Sequence, residues 1–227
     1  MIQPIPKYAV IVAGGSGVRM GSDKPKQFLS INGKSILWYT LSRFLNAFAD
    51  LQVILVLPFD YVGEGKLLLE NIDGGDRIQI AIGGPTRFDS VKNGLQKIKV
   101  PGIVFVHDAV RCLVSIDLIH RCYEQALIKG SAIPAMAATD SIRIVEGKKH
   151  RVADRNRVLF IQTPQTFKTE LLIPAFQIKY DPSFTDEATV LEAAGVAIFL
   201  IDGEYTNIKI TRPIDLSIAE KILEDQR

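Results

Sequence analysis

Short apolar runs rich in β-branched residues recur along the chain and alternate with longer amphipathic stretches. Tyr8-Ala-Val-Ile-Val12 is the first such run, followed by Val53-Ile-Leu-Val-Leu57 and Ile103-Val-Phe-Val-His107, and strands are also expected over residues 77–82 and 131–135. Runs of this length and content suit strands buried on both faces. Between them the apolar positions fall at helical spacing, which predicts helices over 35–48, 61–71, 86–98 and 115–129. Strand and helix in alternation imply βαβ units and an α/β fold with a mostly parallel, twisted sheet flanked by helices. Further on, the pattern predicts helices over 168–180 and 185–195, a strand over 197–201 and a last helix from about residue 212. Thr185 is the expected cap of its helix, and Thr211 that of the last one, which has Pro213 in its first turn.

One segment breaks the rhythm. Ser141-Ile-Arg-Ile-Val145 alternates with period two, Glu146-Gly-Lys-Lys149 is a turn, and Arg151-Val-Ala153 returns. Residues 139–157 therefore read as an inserted β-hairpin arm on a single domain spanning 1–227. Its apolar positions Ile142, Ile144 and Val152 need cover, so the arm is expected to pack on a second copy of the chain. The alternative is a hairpin folded back on its own domain.

Composition changes this picture little. The chain has 227 residues, 47% hydrophobic and 23% charged, which excludes disordered and low-complexity classes. The formal charge of +2 argues against a nucleic-acid binder. No apolar run reaches membrane-spanning length, and the N-terminus lacks the features of a secretory leader. With only Cys112 and Cys122, ten positions apart, a reducing, cytoplasmic setting is expected. Charge placement is more telling. Residues 1–49 carry six basic side chains against Asp23, a net of +5, so the remainder carries −3. That asymmetry points to an anion site near the N-terminus.

The candidate chemistry sits where strands end. Ala13-Gly-Gly-Ser-Gly-Val-Arg19-Met20 follows the first strand directly. In open α/β sheets ligands bind beyond the carboxyl ends of the strands. Backbone N–H groups of such a loop can cradle phosphate, and Arg19 adds a fork for its oxygens. The P-loop pattern is absent, and the dinucleotide pattern fails because Met20 follows Gly17 at the third position. Lys26, stiffened by Pro25, can neutralise charge over a polyphosphate; the bland alternative is a solvated Lys-Pro turn. Asp108 ends a buried strand on the same sheet edge, where a carboxylate can take a hydroxyl or approach Mg²⁺, and Arg111 can receive phosphate. His107 reads as loop support rather than a metal ligand. Lys209 alternates with Ile208 and Ile210, as in an exposed edge strand.

Taken in order, several segments form a distinctive set. Besides the glycine loop they are Lys24-Pro-Lys26-Gln27, Gly83-Gly-Pro-Thr-Arg87-Phe-Asp-Ser90, His107-Asp-Ala-Val-Arg111, Asp154-Arg-Asn156, Thr163-Pro-Gln165, Thr185-Asp-Glu-Ala188 and Asn207-Ile-Lys209-Ile-Thr-Arg-Pro213. The set resembles the 2-C-methyl-D-erythritol 4-phosphate cytidylyltransferases of the non-mevalonate isoprenoid pathway, from about residue 8 to 220. The resemblance implies a Rossmann-like nucleotidyltransferase fold and a homodimer. It also implies transfer of CMP from CTP to the sugar-alcohol phosphate, with Mg²⁺ accompanying CTP. It places Arg19, Lys26 and Lys209 at the reacting phosphates. Ala13, Gly14, Gly15, Gly17, Gly83, Arg87, Ser90 and Asp108 fall at CTP. Asp108, Arg111, Ser141, Arg155, Thr163 and Thr185 fall at the acceptor, with Arg155 reaching into the partner's site. Asp108 is the candidate metal contact. Pro85 stands where the family often has an acidic residue and offers no N–H to a base. The glycine loop also resembles that of ribitol-5-phosphate cytidylyltransferases, which differ in the acceptor.

Overall fold

The computed structural model describes residues 4–14 and 25–225. Strand β1 (Lys7–Val12) opens the chain, and the short strands β2 (Ser30–Ile31) and β3 (Lys34–Ser35) form a small hairpin. Helix α1 (Ile36–Ala47) follows, started by Ser35, whose hydroxyl accepts from the Trp38 N–H. Then come β4 (Leu51–Leu57), α2 (Val62–Leu69), β5 (Ile78–Ile82) and α3 (Arg87–Leu95). A reciprocal capping box between Thr86 and Asp89 fixes the start of α3. Strand β6 (Ile103–Asp108) leads to α4 (Ile116–Lys129) and β7 (Ser131–Ala137). The arm is β8 (Ile142–Glu146) and β9 (Lys149–Ala153). The chain finishes with β10 (Leu159–Ile161), β11 (Gln165–Lys168), α5 (Thr169–Ala175), α6 (Glu187–Ala193), β12 (Leu200–Asp202) and α7 (Pro213–Asp225).

The main sheet runs β10-β7-β11-β6-β1-β4-β5, with β12 alongside β7. Its centre is parallel, as expected: β6, β1, β4 and β5 pair in parallel, with Val12 opposite both Val56 and Asp108. The carboxyl ends of three strands therefore lie level. Period two then divides the core. Ala9, Ile11 and Phe105 face α1 and α4, whereas Tyr8, Val10, Val104 and Val106 face α3, α5 and α6.

A third, smaller cluster joins distant pieces of chain. Ile31 and Ile36, Val110, Cys112 and Leu113, Ile210, and Ala219 and Leu223 of α7 pack together. Asp215 helps fix α7, accepting from the backbone N–H groups of Thr211 and Arg212 and from the Thr211 hydroxyl.

Several expectations need correction. Strands β10 and β11 lie in a stretch to which the sequence pattern assigns no element, and β11 runs antiparallel between β6 and β7. Its Gln165 and Thr166 are buried polar residues, so no apolar pattern marks it. The helix expected over 168–180 ends at Ala175, just after Pro174. The strand expected over 197–201 is Leu200–Asp202. Asp186, not Thr185, caps α6, through a capping box with Thr189, and Thr185 is exposed. In the arm, Ile142 and Ile144 share a face, but Val152 pairs with Arg143 and lies on the other face with Val145.

Candidate functional site

The level strand ends carry a cleft of about 520 Å³. Ala13, Gly14, Lys26, Arg87, Ser90, Asp108 and Lys209 line it, so seven of the sequence-selected residues converge there. Gly15, Gly17 and Arg19 lie outside the described residues. The floor is backbone. The Ala13 N–H donates to Val56 O (2.9 Å), Gly83 N–H to Leu57 O (2.8 Å) and Ala109 N–H to Val12 O (3.0 Å). Ser90 ties the wall together: its hydroxyl accepts from Gly84 N–H (3.1 Å) and donates to Thr86 O (2.9 Å). A Cβ at Gly83 would meet Ser90 Oγ at 3.1 Å and one at Gly14 would meet it at 3.3 Å, so the loops approach one another through glycine.

Charge is ordered around Asp108. Residues 104, 106 and 108 point to the α3 and α6 side of the sheet, which brings the Asp108 carboxylate to α3 and α6. Arg87 Nε donates to Asp108 Oδ1 at 3.1 Å, and Lys209 Nζ sits 2.7 Å from Oδ2. Arg87 is itself gripped by the buried Glu187 at the start of α6, with Nη1 on Oε1 and Nη2 3.2 Å from Oε2. Negative and positive charges thus alternate from Glu187 through Arg87 and Asp108 to Lys209. Burial alone would raise Asp108, but Arg87, Lys209 and Arg111 outweigh it and hold the carboxyl far below the usual range. For Glu187 burial wins, and its carboxyl is raised despite Arg87. Burial opposes the charge of Arg87, yet Glu187 and Asp108 leave the guanidinium more firmly protonated than usual.

The two lysines enter from opposite ends of the chain. Lys26 Nζ donates to Ile210 O at 3.1 Å, and Ile210 N–H donates to Val110 O. Lys209 lies in irregular backbone rather than the edge strand its period suggests, with Ile210 packed in the small core cluster. Gln27, fully buried, donates from Nε2 to Ala13 O (2.7 Å) and pins the start of the glycine loop.

Behind the cleft, Arg111 donates from Nη1 to Asn207 O (2.8 Å), and burial lowers its pKa. Thr163 is buried, its hydroxyl turned to His107 and to the Asp108 N–H. Thr185, Ser141 and Arg155 lie outside this cleft's lining; Arg155 donates from Nη1 to Thr139 O at the base of the arm. The cysteines are buried, and burial pushes both thiols up to about 12, so neither is a nucleophile.

The family model for 2-C-methyl-D-erythritol 4-phosphate cytidylyltransferase matches residues 8–225. The chain belongs to that family. A relative from Bacteroides thetaiotaomicron named 2-C-methyl-D-erythritol 4-phosphate cytidylyltransferase is 44% identical, covering 94% of this chain and 98% of its own. The crystal structure of 4-diphosphocytidyl-2C-methyl-D-erythritol synthase from Anaerococcus prevotii superposes with a TM-score of 0.83 at 26% identity, covering 97% of this chain and 99% of that one. The Thermus thermophilus cytidylyltransferase gives 0.74 at 31%, covering 95% and 98%.

Against this cytidylyltransferase background, the sequence reading missed the partner of Arg87. Glu187 lies 100 positions away, and only the acidic pair opening α6 hinted at it. It also missed Asn207, fully buried, as the link between Thr163 and Arg111. Among the described residues no group of three or more His, Cys, Asp or Glu could hold a metal ion. Asp108 has both oxygens bonded to cations. Among the described residues the donor set does not fit a resident divalent cation. No helix among the described residues is long and apolar enough to cross a membrane.

Proposed function

We infer that the chain transfers the cytidylyl group of CTP to 2-C-methyl-D-erythritol 4-phosphate, giving 4-diphosphocytidyl-2-C-methyl-D-erythritol and pyrophosphate. The observation that carries this reading is a cleft of glycine backbone flanked by Lys26, Arg87 and Lys209, without a nucleophile and base pair among the described residues of its lining. A phosphate monoester is already ionised near neutral pH, so its oxygen needs no general base. That oxygen attacks the α-phosphorus in line, the new P–O bond forms, and the bond to the β-phosphate oxygen breaks with its electron pair leaving on pyrophosphate. What the chain must supply is position and positive charge. On this reading Lys26 and Lys209 neutralise the phosphoryl oxygens as they crowd, and Arg19 binds the triphosphate. On the same reading Asp108 and Arg111 take the acceptor. Mg²⁺ enters as the companion of CTP, where it would screen the triphosphate oxygens.

The arm supports a homodimer. Ile144, Val145 and Val152 are exposed on it, as are Leu159, Phe160 and Ile161 of β10. A second copy covering this surface would let Arg155 and Ser141 reach the neighbouring cleft. We place the enzyme in the cytoplasm. The deciding experiment offers 2-C-methyl-D-erythritol 4-phosphate and ribitol 5-phosphate separately with CTP and follows pyrophosphate. Turnover with the first is expected; turnover of ribitol 5-phosphate alone would overturn the assignment.

A further inference from the structure

Four residues close a ring behind the cleft. His107 Nδ1 meets Thr163 Oγ1 at 3.1 Å, and His107 Nε2 meets Arg111 O at 3.1 Å. Asn207 Nδ2 donates to Thr163 O at 2.9 Å, and Asn207 O accepts from Arg111 Nη1 at 2.8 Å. The ring joins the end of β6, the turn after it, the segment before β11 and the segment that carries Lys209. The turn itself is closed by Arg111 N–H on Asp108 O at 3.0 Å.

Only one proton arrangement of the neutral imidazole satisfies both His107 nitrogens and the Thr163 hydroxyl. Arg111 O can only accept, so His107 Nε2 carries the hydrogen. Nδ1 is then bare and accepts the Thr163 hydroxyl. That hydroxyl still has lone pairs, and one takes the Asp108 N–H at 3.2 Å. The opposite tautomer would set two lone pairs against each other at 3.1 Å in a site closed to water. Phe44 packs on the imidazole with centroids 4.9 Å apart, and the ring is wholly buried. The proton of Thr163 is committed inward, away from any ligand.

We propose that His107 is a positioning residue for the transfer reaction. Held as the neutral Nε2–H tautomer, it fixes, with Thr163, the backbone that presents Asp108 and Arg111. Through Asn207 it also fixes the segment bearing Lys209. His107 touches no reacting atom. The kinetic half of this inference rests on the transfer reading; the tautomer does not.

The test begins with nitrogen NMR of the imidazoles, tractable because the chain has three histidines. His107 in the wild-type protein should show a protonated Nε2 and a bare Nδ1, unchanged from about pH 8 to pH 5. A protonated Nδ1, or an ordinary titration in that range, overturns the proposal. In Thr163→Val the Nδ1 signal should shift, and in Thr163→Ser it should stay. Thr163→Val and His107→Asn should each lower kcat/KM for the acceptor roughly 10²-fold, the scale of a misplaced catalytic group. KM for CTP should change less than about threefold if the reacting groups alone are displaced. The double variant should be no worse than the poorer single, because both break one device. Fully additive losses, or wild-type kinetics in Thr163→Val, overturn the proposal. If His107→Asn does not fold, the wild-type and Thr163 spectra and kinetics still decide. A wild-type protein with the expected spectrum but no turnover would overturn the transfer reading and leave the tautomer assignment standing.

Discussion

The buried imidazole makes stability depend on pH in a way that can be worked out beforehand. Burial pushes His107 from its ordinary 6.5 down to about 3; Asp108 and the Arg111 carbonyl oppose the shift, while the Arg111 and Arg87 charges add to it. The unfolded chain takes up a proton at this histidine near 6.5, and the folded chain does not. Between the two values the unfolded state binds more protons, so stability falls as pH falls. The contribution is complete above 6.5 and is lost progressively toward about 3. At about pH 5 the folded imidazole is still neutral, so the loss depends on the unfolded value alone. One and a half units below 6.5 correspond to about 2 kcal/mol. The assay is urea unfolding of the wild-type protein and His107→Asn at about pH 7.5 and pH 5, where the unfolded carboxylates are mostly ionised. Subtracting the variant removes the other titrating groups. The difference between the two proteins should shrink by about 2 kcal/mol on acidification. A difference that stays constant would mean that His107 takes up its proton as readily in the folded protein as in the unfolded chain, and the ring of hydrogen bonds as described would be wrong.

Other consequences follow from the charge pattern and the arm. Lys26→Ala and Lys209→Ala should each lower kcat by roughly 10²–10³, the loss found for a transition-state donor, and undiminished pyrophosphate release would refute the mechanism. Glu187→Gln weakens the grip on Arg87, which is 30% exposed and keeps Asp108, so the loss of charge-assisted bonds to a carboxylate that is 1% exposed should cost about 2 kcal/mol. At roughly 2–4 °C per kcal/mol, the melting temperature should drop by about 6 °C, and an unchanged value would count against the pair. Ile210→Ala removes a fully buried side chain from the small cluster, at about 2–4 kcal/mol; it should also lower kcat beyond what equal destabilisation elsewhere does, since Ile210 O holds Lys26. Mixed dimers of Arg155→Ala and Lys26→Ala subunits should regain activity, and verified heterodimers that stay inactive would show that Arg155 does not act across the interface.

The parallel centre of the sheet was legible because β1, β4 and β6 are short apolar runs, and Asp108 stood out as the polar end of one of them. The antiparallel β11 was not, because what makes it a strand is its neighbours. Gln165 and Thr166 are polar yet buried between β6 and β7, and Gln165 bridges to α6 through Asp186 Oδ2 and the Ala188 N–H. Period two placed Lys209 on an edge strand; the segment is irregular, and long-range bonds of Asn207 and Ile210 set its position. The arm was visible, but which positions share a face depends on the pairing register, and that moved Val152 away from Ile142 and Ile144. No spacing rule links Arg87 to Glu187, since the geometry that joins them is that of two helices on one face of a folded sheet.

The location of the small core cluster explains how two lysines 183 positions apart come to face one cleft. The hairpin β2–β3 begins just after Lys26, and α7 begins just after Lys209, so each lysine lies at the root of an element packed in that cluster. Val110 and Leu113, which follow Asp108 directly, complete the packing. Apolar burial is non-directional, so it brings the three segments together without fixing their register. Register comes from the hydrogen bonds laid over it: Lys26 on Ile210 O, Ile210 N–H on Val110 O, and the ring through His107. A site that works by placing charge needs both layers. The main sheet holds Asp108, helix α3 packed on it holds Arg87, and the satellite cluster brings Lys26 and Lys209 against them.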